Sequence, residues 1–235
     1  MLKRVIKSLF NKMGYEIRQL PLEKKDVMEE STIKRISEVI RISNPLKVHF
    51  GCGPRILKGW INIDLSYEPY HDYMQYYTEK YYPESIRGDQ SDLYVFDVTK
   101  GSLPFQDNSV DVIFHEDFLE HLNQRGQILF LAETFRILKK GGVHRVNTPN
   151  FLFSDVIKSN FANGFEGVHL DEWDKWHHQN ILSPESIKEM ALMVGYTAVI
   201  FNGRDQSVIK ELLPLEYRPD PSTPENRNIF ADLMK

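Results

Sequence analysis

Apolar residues along the chain alternate between two periods, and the alternation lays out an α/β order. Runs rich in β-branched and aromatic residues stand at 46–50, 60–64, 93–97, 110–115, 143–148, 196–202 and 228–234, the composition of buried or half-buried strands. Helical spacing appears between them. Ile33, Ile36 and Ile40 share a face of a helix that opens at Ser31 or Thr32 and runs to Ile42, where a hydroxyl can cap the first turn. A second helix over 122–139 aligns Ile128, Leu129, Ala132, Phe135 and Leu138, with Gly141 and Gly142 as its stop. A third covers 184–193, with Ser183 as N-cap and Pro184 at the first helical position. Strands alternating with helices predict one α/β domain with a mostly parallel sheet. The chain divides into an N-terminal helical extension, 1–44, and a domain over 45–235.

Two segments carry patterns of their own. In residues 1–20, Leu2, Val5, Ile6, Leu9, Phe10 and Met13 recur at helical spacing, with Lys3, Arg4, Lys7 and Lys12 mostly on other faces. Such a helix docks on its own domain or on a second subunit as a homodimer contact, or it lies on an anionic membrane; a disordered end is the remaining alternative. In residues 66–92, Tyr67, Tyr70, Tyr73, Tyr76, Tyr77, Tyr81 and Tyr82 crowd together. They form a half-buried helix face, a helical cover over a ligand, or a dimer contact. Tyrosine joins an apolar body to a polar tip, which suits a sugar, and Tyr70 is the candidate substrate contact.

Composition narrows the class. A net charge of −4 argues against a general nucleic-acid binder, which carries a basic excess. Cys52 is the single cysteine, so neither an internal disulfide nor a cysteine-rich zinc site can form, and a reducing cytoplasm is expected. No apolar run approaches the ~18 residues needed to cross a bilayer. The expected location is the cytoplasm, at the inner face of the membrane if residues 1–20 bind lipid.

Candidate chemistry concentrates in residues 46–64, LKVHFGCGPRILKGWINID. Strand, glycine turn, strand and terminal acid form a Rossmann-like arrangement for an adenosine-type ligand. Gly51 and Gly53 leave room for close backbone approach, and Asp64 can accept hydrogen bonds from two ribose hydroxyls. A dinucleotide site needs a third glycine, where Ile56 stands, and an acid about 20 residues on. Asp64 comes eleven residues after Gly53. A ligand with ribose and adenine but no pyrophosphate fits better than NAD.

Residues 93–150 complete the pattern. With the G-C-G-P…G-W-x-N-x-D opening, the chain resembles the class I S-adenosylmethionine (SAM) methyltransferases, and within them a bacterial subgroup linked to surface-polysaccharide biosynthesis. The resemblance runs from Leu46 to the C-terminus. It implies a seven-stranded, mostly parallel Rossmann-like sheet whose last strand inserts antiparallel between strands five and six. It implies SAM as cofactor, with S-adenosylhomocysteine (SAH) as product. Phe50, Gly51, Cys52 and Gly53 correspond to the first SAM motif, Asp64 and Leu65 to the ribose-binding acid and its neighbour, and Asp97 and Val98 to the adenine-binding pair. The expected activity is O-methylation of a saccharide or activated-sugar precursor of a surface glycan. The alternatives are a methyltransferase for a non-sugar small molecule and a SAM-binding, non-catalytic subunit of an assembly complex.

Methyl transfer from a sulfonium needs an aligned acceptor and exclusion of water. A hydroxyl acceptor also needs its proton removed. His115 and Glu116 stand at the carboxyl end of strand four, where His115 would touch cofactor or acceptor. A second cluster, His169, Asp171, Trp173, Trp176 and His178, follows strand five. His178 is the favoured base, with His115 its rival; Glu116, His169, Asp171, Trp173 and Trp176 are substrate-binding candidates. Glu120 reads as a first-turn acid favoured by the helix dipole. No metal is expected: His115 and His121 do not share a helix face, and His177 and His178 point apart in regular structure.

Overall fold

The computed structural model describes residues 29–73, 78–153, 178–180, 182–216 and 224–235. The amphipathic segment 1–20 and the tyrosines at 76 and 77 lie outside them. The chain forms a seven-stranded sheet from β1 (Lys47–Phe50), β2 (Ile61–Asp64), β3 (Leu93–Val95), β4 (Val110–Glu116), β5 (Leu138–Pro149), β6 (Ala198–Asn202) and β7 (Asn228–Met234). Its order is β3-β2-β1-β4-β5-β7-β6. The strands from β3 to β5 are parallel, and β7 runs antiparallel to both β5 and β6, as expected. The order reverses at β1, and ligands of such sheets sit beyond the carboxyl ends at that point.

Alternation along the strands sends side chains to two different layers. Val48, Phe50, Ile61, Ile63, Tyr94 and Ile113 join the main core, which includes residues of α1 (Glu30–Ile42), α2 (Gln124–Ile137) and α3 (Pro184–Val194). Among the described residues these three α-helices cover this layer. The other layer is built differently. Val112 and Phe114 pack with Leu57, Trp60 and Tyr82, and with Tyr70, Ile86, Ile209 and Leu213, all from turns and short 3₁₀ segments. The tyrosine-rich stretch contributes 3₁₀ turns at Tyr70–Tyr73, Glu84–Ile86 and Gln90–Asp92 where a helical face or cover is expected. Tyr82 is fully buried, and its hydroxyl donates to the Ile56 carbonyl.

Two boundaries differ from the sequence reading for local reasons. Asn123 accepts the Gly126 N–H at 2.8 Å and caps α2, so the preceding Leu119–His121 forms a separate 3₁₀ turn. At the other end α2 stops at Ile137, and β5 starts at once. Leu138 pairs with Val110, the register then shifts, and Val143 pairs with Val112. Gly141, at φ 79°, lies in this irregularity instead of ending the helix. Ser183 and Ser186 cap α3 reciprocally, and Gly195 closes it at φ 117°.

Loop 203–216 is tied to the sheet by a buried polar network. Arg145 on β5 is fully buried and pairs with Glu216 through two bonds of 2.8 Å. It also donates to the Gly203 carbonyl at 2.9 Å and reaches Asp232 at 3.3 Å. Ser207 donates to Asp232 at 2.8 Å.

Candidate functional site

Parallel pairing brings the ends of β1, β2 and β3 together: Gly51 N–H donates to the Ile63 carbonyl and Phe96 N–H to the Asp64 carbonyl, both at 2.9 Å. Residues 51–60 link β1 to β2 without an α-helix, which leaves the glycine turn next to Asp64. Gly51 turns at φ 58° and Gly53 at φ 48°. A Cβ on Gly51 would meet the Phe118 ring at 2.2 Å, whereas one on Gly53 would meet nothing within 4 Å. Packing against Phe118 therefore requires the first glycine. The second borders open space.

Asp64 is half-buried and held by two amides. Gly53 N–H donates to Oδ2 at 2.7 Å and Leu65 N–H to Oδ1 at 2.6 Å. A carboxylate has about four lone-pair directions, so each oxygen retains capacity for a hydroxyl donor. Val95 pairs with Asp64 in register, and Leu65 and Val95 are exposed by 65% and 54%. An acid flanked by two exposed apolar side chains fits a ribose joined to a planar base. Asp97 is half-buried, and its Oδ1 accepts from Thr99 N–H at 2.9 Å and Thr99 Oγ1 at 2.7 Å.

Other residues of this group turn inward. Phe50 is fully buried, edge-on to Phe130 at 5.0 Å, so only its backbone faces the turn. Val98 packs in the main core. Cys52 packs with Ile56 and Leu93; burial, then the Asp64 charge, pushes its thiol pKa well up. Tyr70 stands edge-on to Tyr82 at 5.0 Å, beneath the Arg87 guanidinium at 4.4 Å, in the layer away from the helices.

The end of β4 departs most from expectation. His115 is fully buried, with Phe118 and Phe130 both at 5.6 Å and His144 at 5.1 Å. Neither ring nitrogen has a hydrogen-bond partner among the described residues, and burial pushes its pKa down to about 3. Side-chain alternation sends it into the core, away from any ligand arriving from solvent. Glu116 is also engaged. It pairs with buried Arg55 and accepts from Asn147 Nδ2 at 3.4 Å. Arg55 further donates to the carbonyls of Tyr81 and Leu215, which joins three loops beneath the site. Sequence reasoning overlooked Arg55; the signal was an arginine between Pro54 and Ile56, directly after the glycine turn.

A second group assembles just beyond β4. Glu120 is buried, not an exposed first-turn acid. Thr148 donates to its Oε2 at 2.7 Å, while Oε1 has no partner among the described residues. Burial, then the Asp117 charge, raises its pKa to about 8. Gln179 and Asn180 N–H donate to the Glu120 carbonyl at 2.8 and 3.1 Å. That docking sets His178 edge-on to His121, centroids 5.0 Å apart. His178 is half-buried, and burial, then His121, lowers its pKa to about 4. His169, Asp171, Trp173 and Trp176 lie outside the described residues. The meeting of His121 with His178 has no signature in local spacing.

Part of the chain is similar to known methyltransferases. Residues 49–146 match the family described as "Methyltransferase domain". The chain is 28% identical over 145 residues to a sarcosine/dimethylglycine N-methyltransferase of Aphanothece halophytica, spanning 60% of this chain and 48% of that protein. It is 27% identical over 124 residues to a dimethylglycine N-methyltransferase of Parasynechococcus marenigrum, spanning 52% of this chain and 40% of that protein. The matches thus span about half the length of these curated relatives or less. A solved SAM-dependent methyltransferase of Thermotoga maritima, titled a possible histamine N-methyltransferase, aligns at 16% identity and a TM-score of 0.49, covering 87% of this chain and 88% of that one.

Proposed function

We propose that the chain is a SAM-dependent methyltransferase acting on a small-molecule acceptor. The observation that carries this reading is Asp64, held at the end of β2 by Gly53 and Leu65 N–H beside open space at Gly53, within the segment that matches a methyltransferase domain. Bound SAM supplies an electrophilic methyl carbon on a sulfonium centre. Asp64 accepts the ribose hydroxyls, Leu65 and Val95 flank the base, Asp97 faces the adenine side, and the Gly51–Gly53 turn borders the methionine part.

The acceptor is assigned to the group Glu120, His121 and His178. His178 is neutral at pH 7, since its pKa lies near 4. Its lone pair can accept a hydrogen bond, but a pKa near 4 makes it a weaker proton acceptor at neutrality than an ordinary imidazole near 6.5. O-methylation of a polar small molecule, with a saccharide as the favoured class, is the first reading and rests on the sequence resemblance; a hydroxyl acceptor needs its proton removed, while an amine largely needs positioning. N-methylation of a small amine is the second, favoured by the names of the two relatives.

Charge-assisted bonds are worth about 1.5–3 kcal/mol each. Asp64→Ala is therefore expected to weaken SAH binding at least tenfold in calorimetry without loss of fold. Unchanged affinity in a folded variant removes the cofactor assignment. Acceptor class is read from SAH release with saccharides and nucleotide sugars against sarcosine and dimethylglycine. Turnover of the amines alone overturns the O-methylation reading.

A further inference from the structure

One carboxylate oxygen of Glu120 and one ring nitrogen each of His121 and His178 lie within 4.8 Å of one another. We propose that Glu120, His121 and His178 form a binding site for a divalent first-row transition metal ion. Three features support a built site. Glu120 is only 3% exposed, and its Oε1 has no hydrogen-bond partner among the described residues, whereas Oε2 is held by Thr148. A buried carboxylate oxygen without a donor is costly, and a cation satisfies it. The backbone is fixed from both sides, because Gln179 and Asn180 donate to the Glu120 carbonyl and Asn180 Nδ2 donates to Gln127 Oε1 at 2.9 Å. Finally, Thr148 is the kind of outer partner that orients a ligating carboxylate.

The donor set selects the ion. Two imidazoles and one carboxylate suit zinc, cobalt, iron or manganese, while magnesium and calcium favour all-oxygen shells. Around a tetrahedral ion with bonds of about 2.05 Å, ligand atoms stand about 3.3 Å apart. Closure from 4.8 Å is within reach of side-chain rotation in half-buried His121 and His178. Three protein ligands leave a position open for water or an acceptor oxygen. The site lies directly after β4, at the carboxyl edge where the acceptor is assigned.

The test uses the full-length chain without a histidine tag, titrated with Co²⁺ and followed by visible absorption and calorimetry. One saturable Co²⁺ site is expected, with Zn²⁺ competing and Mg²⁺ not. Glu120→Gln, His121→Ala and His178→Ala should each weaken Co²⁺ binding at least tenfold, and Thr148→Val about tenfold. Circular dichroism confirms that each variant is folded. SAH affinity is measured alongside, so that failure of the metal site is told apart from failure of the cofactor assignment. Absence of saturable Co²⁺ binding by the wild-type chain overturns the proposal, as does unchanged affinity in folded His178→Ala. Should the variants not fold, the melting temperature of the wild-type chain decides: a rise with Zn²⁺ and none with Mg²⁺ supports the site, and no rise with either overturns it.

Discussion

His115 shows how a polar residue at a promising position serves packing instead. Its ring lies among Phe118, Phe130 and His144, and burial holds its pKa near 3 against an ordinary 6.5. His49 is likewise held near 3 by burial and then by Arg55, and burial lowers His144. A depressed pKa means that the unfolded chain binds the proton and the folded chain does not. Stability from the His115 and His49 rings is therefore complete above about pH 6.5 and falls with acidification toward about pH 3, at most by about 1.4 kcal/mol per pH unit for each ring. Glu120 acts oppositely. In the metal-free chain its raised pKa, about 8, favours the protonated form in the fold, so its contribution grows as pH falls from 8 toward 4.5. The difference between wild type and His115→Leu isolates the histidine. Urea melts from about pH 7 to about pH 5 should show a smaller loss in His115→Leu, by about 2 kcal/mol in total, with SAH affinity retained. Parallel pH profiles would mean that His115 is not held neutral.

At the scale of elements, the layer without described α-helices depends on two buried arginines. Arg145 anchors loop 203–216 through Glu216, Asp232 and the Gly203 carbonyl. Arg55 ties the Leu215 carbonyl, at the loop's far end, to Glu116 and Tyr81. Apolar packing of Ile209 and Leu213 on Trp60, Val112 and Phe114 completes the cover. Removing one partner of a buried ionic group leaves the others uncompensated, at a cost of about 3–5 kcal/mol. Arg145→Met should lose stability in that range by urea unfolding. Arg145→Met combined with Glu216→Leu should lose less than the two single losses added, because their ionic partnership is then removed as a unit. A cost under about 1 kcal/mol for Arg145→Met would show that the network does not hold the loop. Only part of this layer was legible. The turn residues and tyrosines are visible in the sequence, but 3₁₀ segments and buried arginines lack the periodicity that reveals an amphipathic helix.

For the whole molecule, each residue assigned to cofactor or acceptor lies at Phe50 or beyond, and α1 begins at Glu30. Removal of residues 1–20 should therefore leave SAH affinity within about twofold, a change below 0.5 kcal/mol. If the segment serves an anionic membrane, the same deletion should abolish sedimentation with anionic vesicles; a loss of SAH binding would place the segment at the site instead. The sequence by itself determined the order of strands and helices and placed the glycine turn eleven residues before Asp64. These rest on local periodicity and on a short connection along the chain; the antiparallel final strand was implied by the resemblance, and the Gly53 N–H bond to Asp64 emerged in the fold. Tertiary structure alone decided that His115 faces the core, that Arg55 takes Glu116, and that His178 meets His121 beside Glu120. The physical reason is that side-chain direction and ionic partnership depend on which strand, helix or loop packs opposite. Contacts such as Arg55 with Leu215, 160 residues apart, leave no periodic trace along the chain.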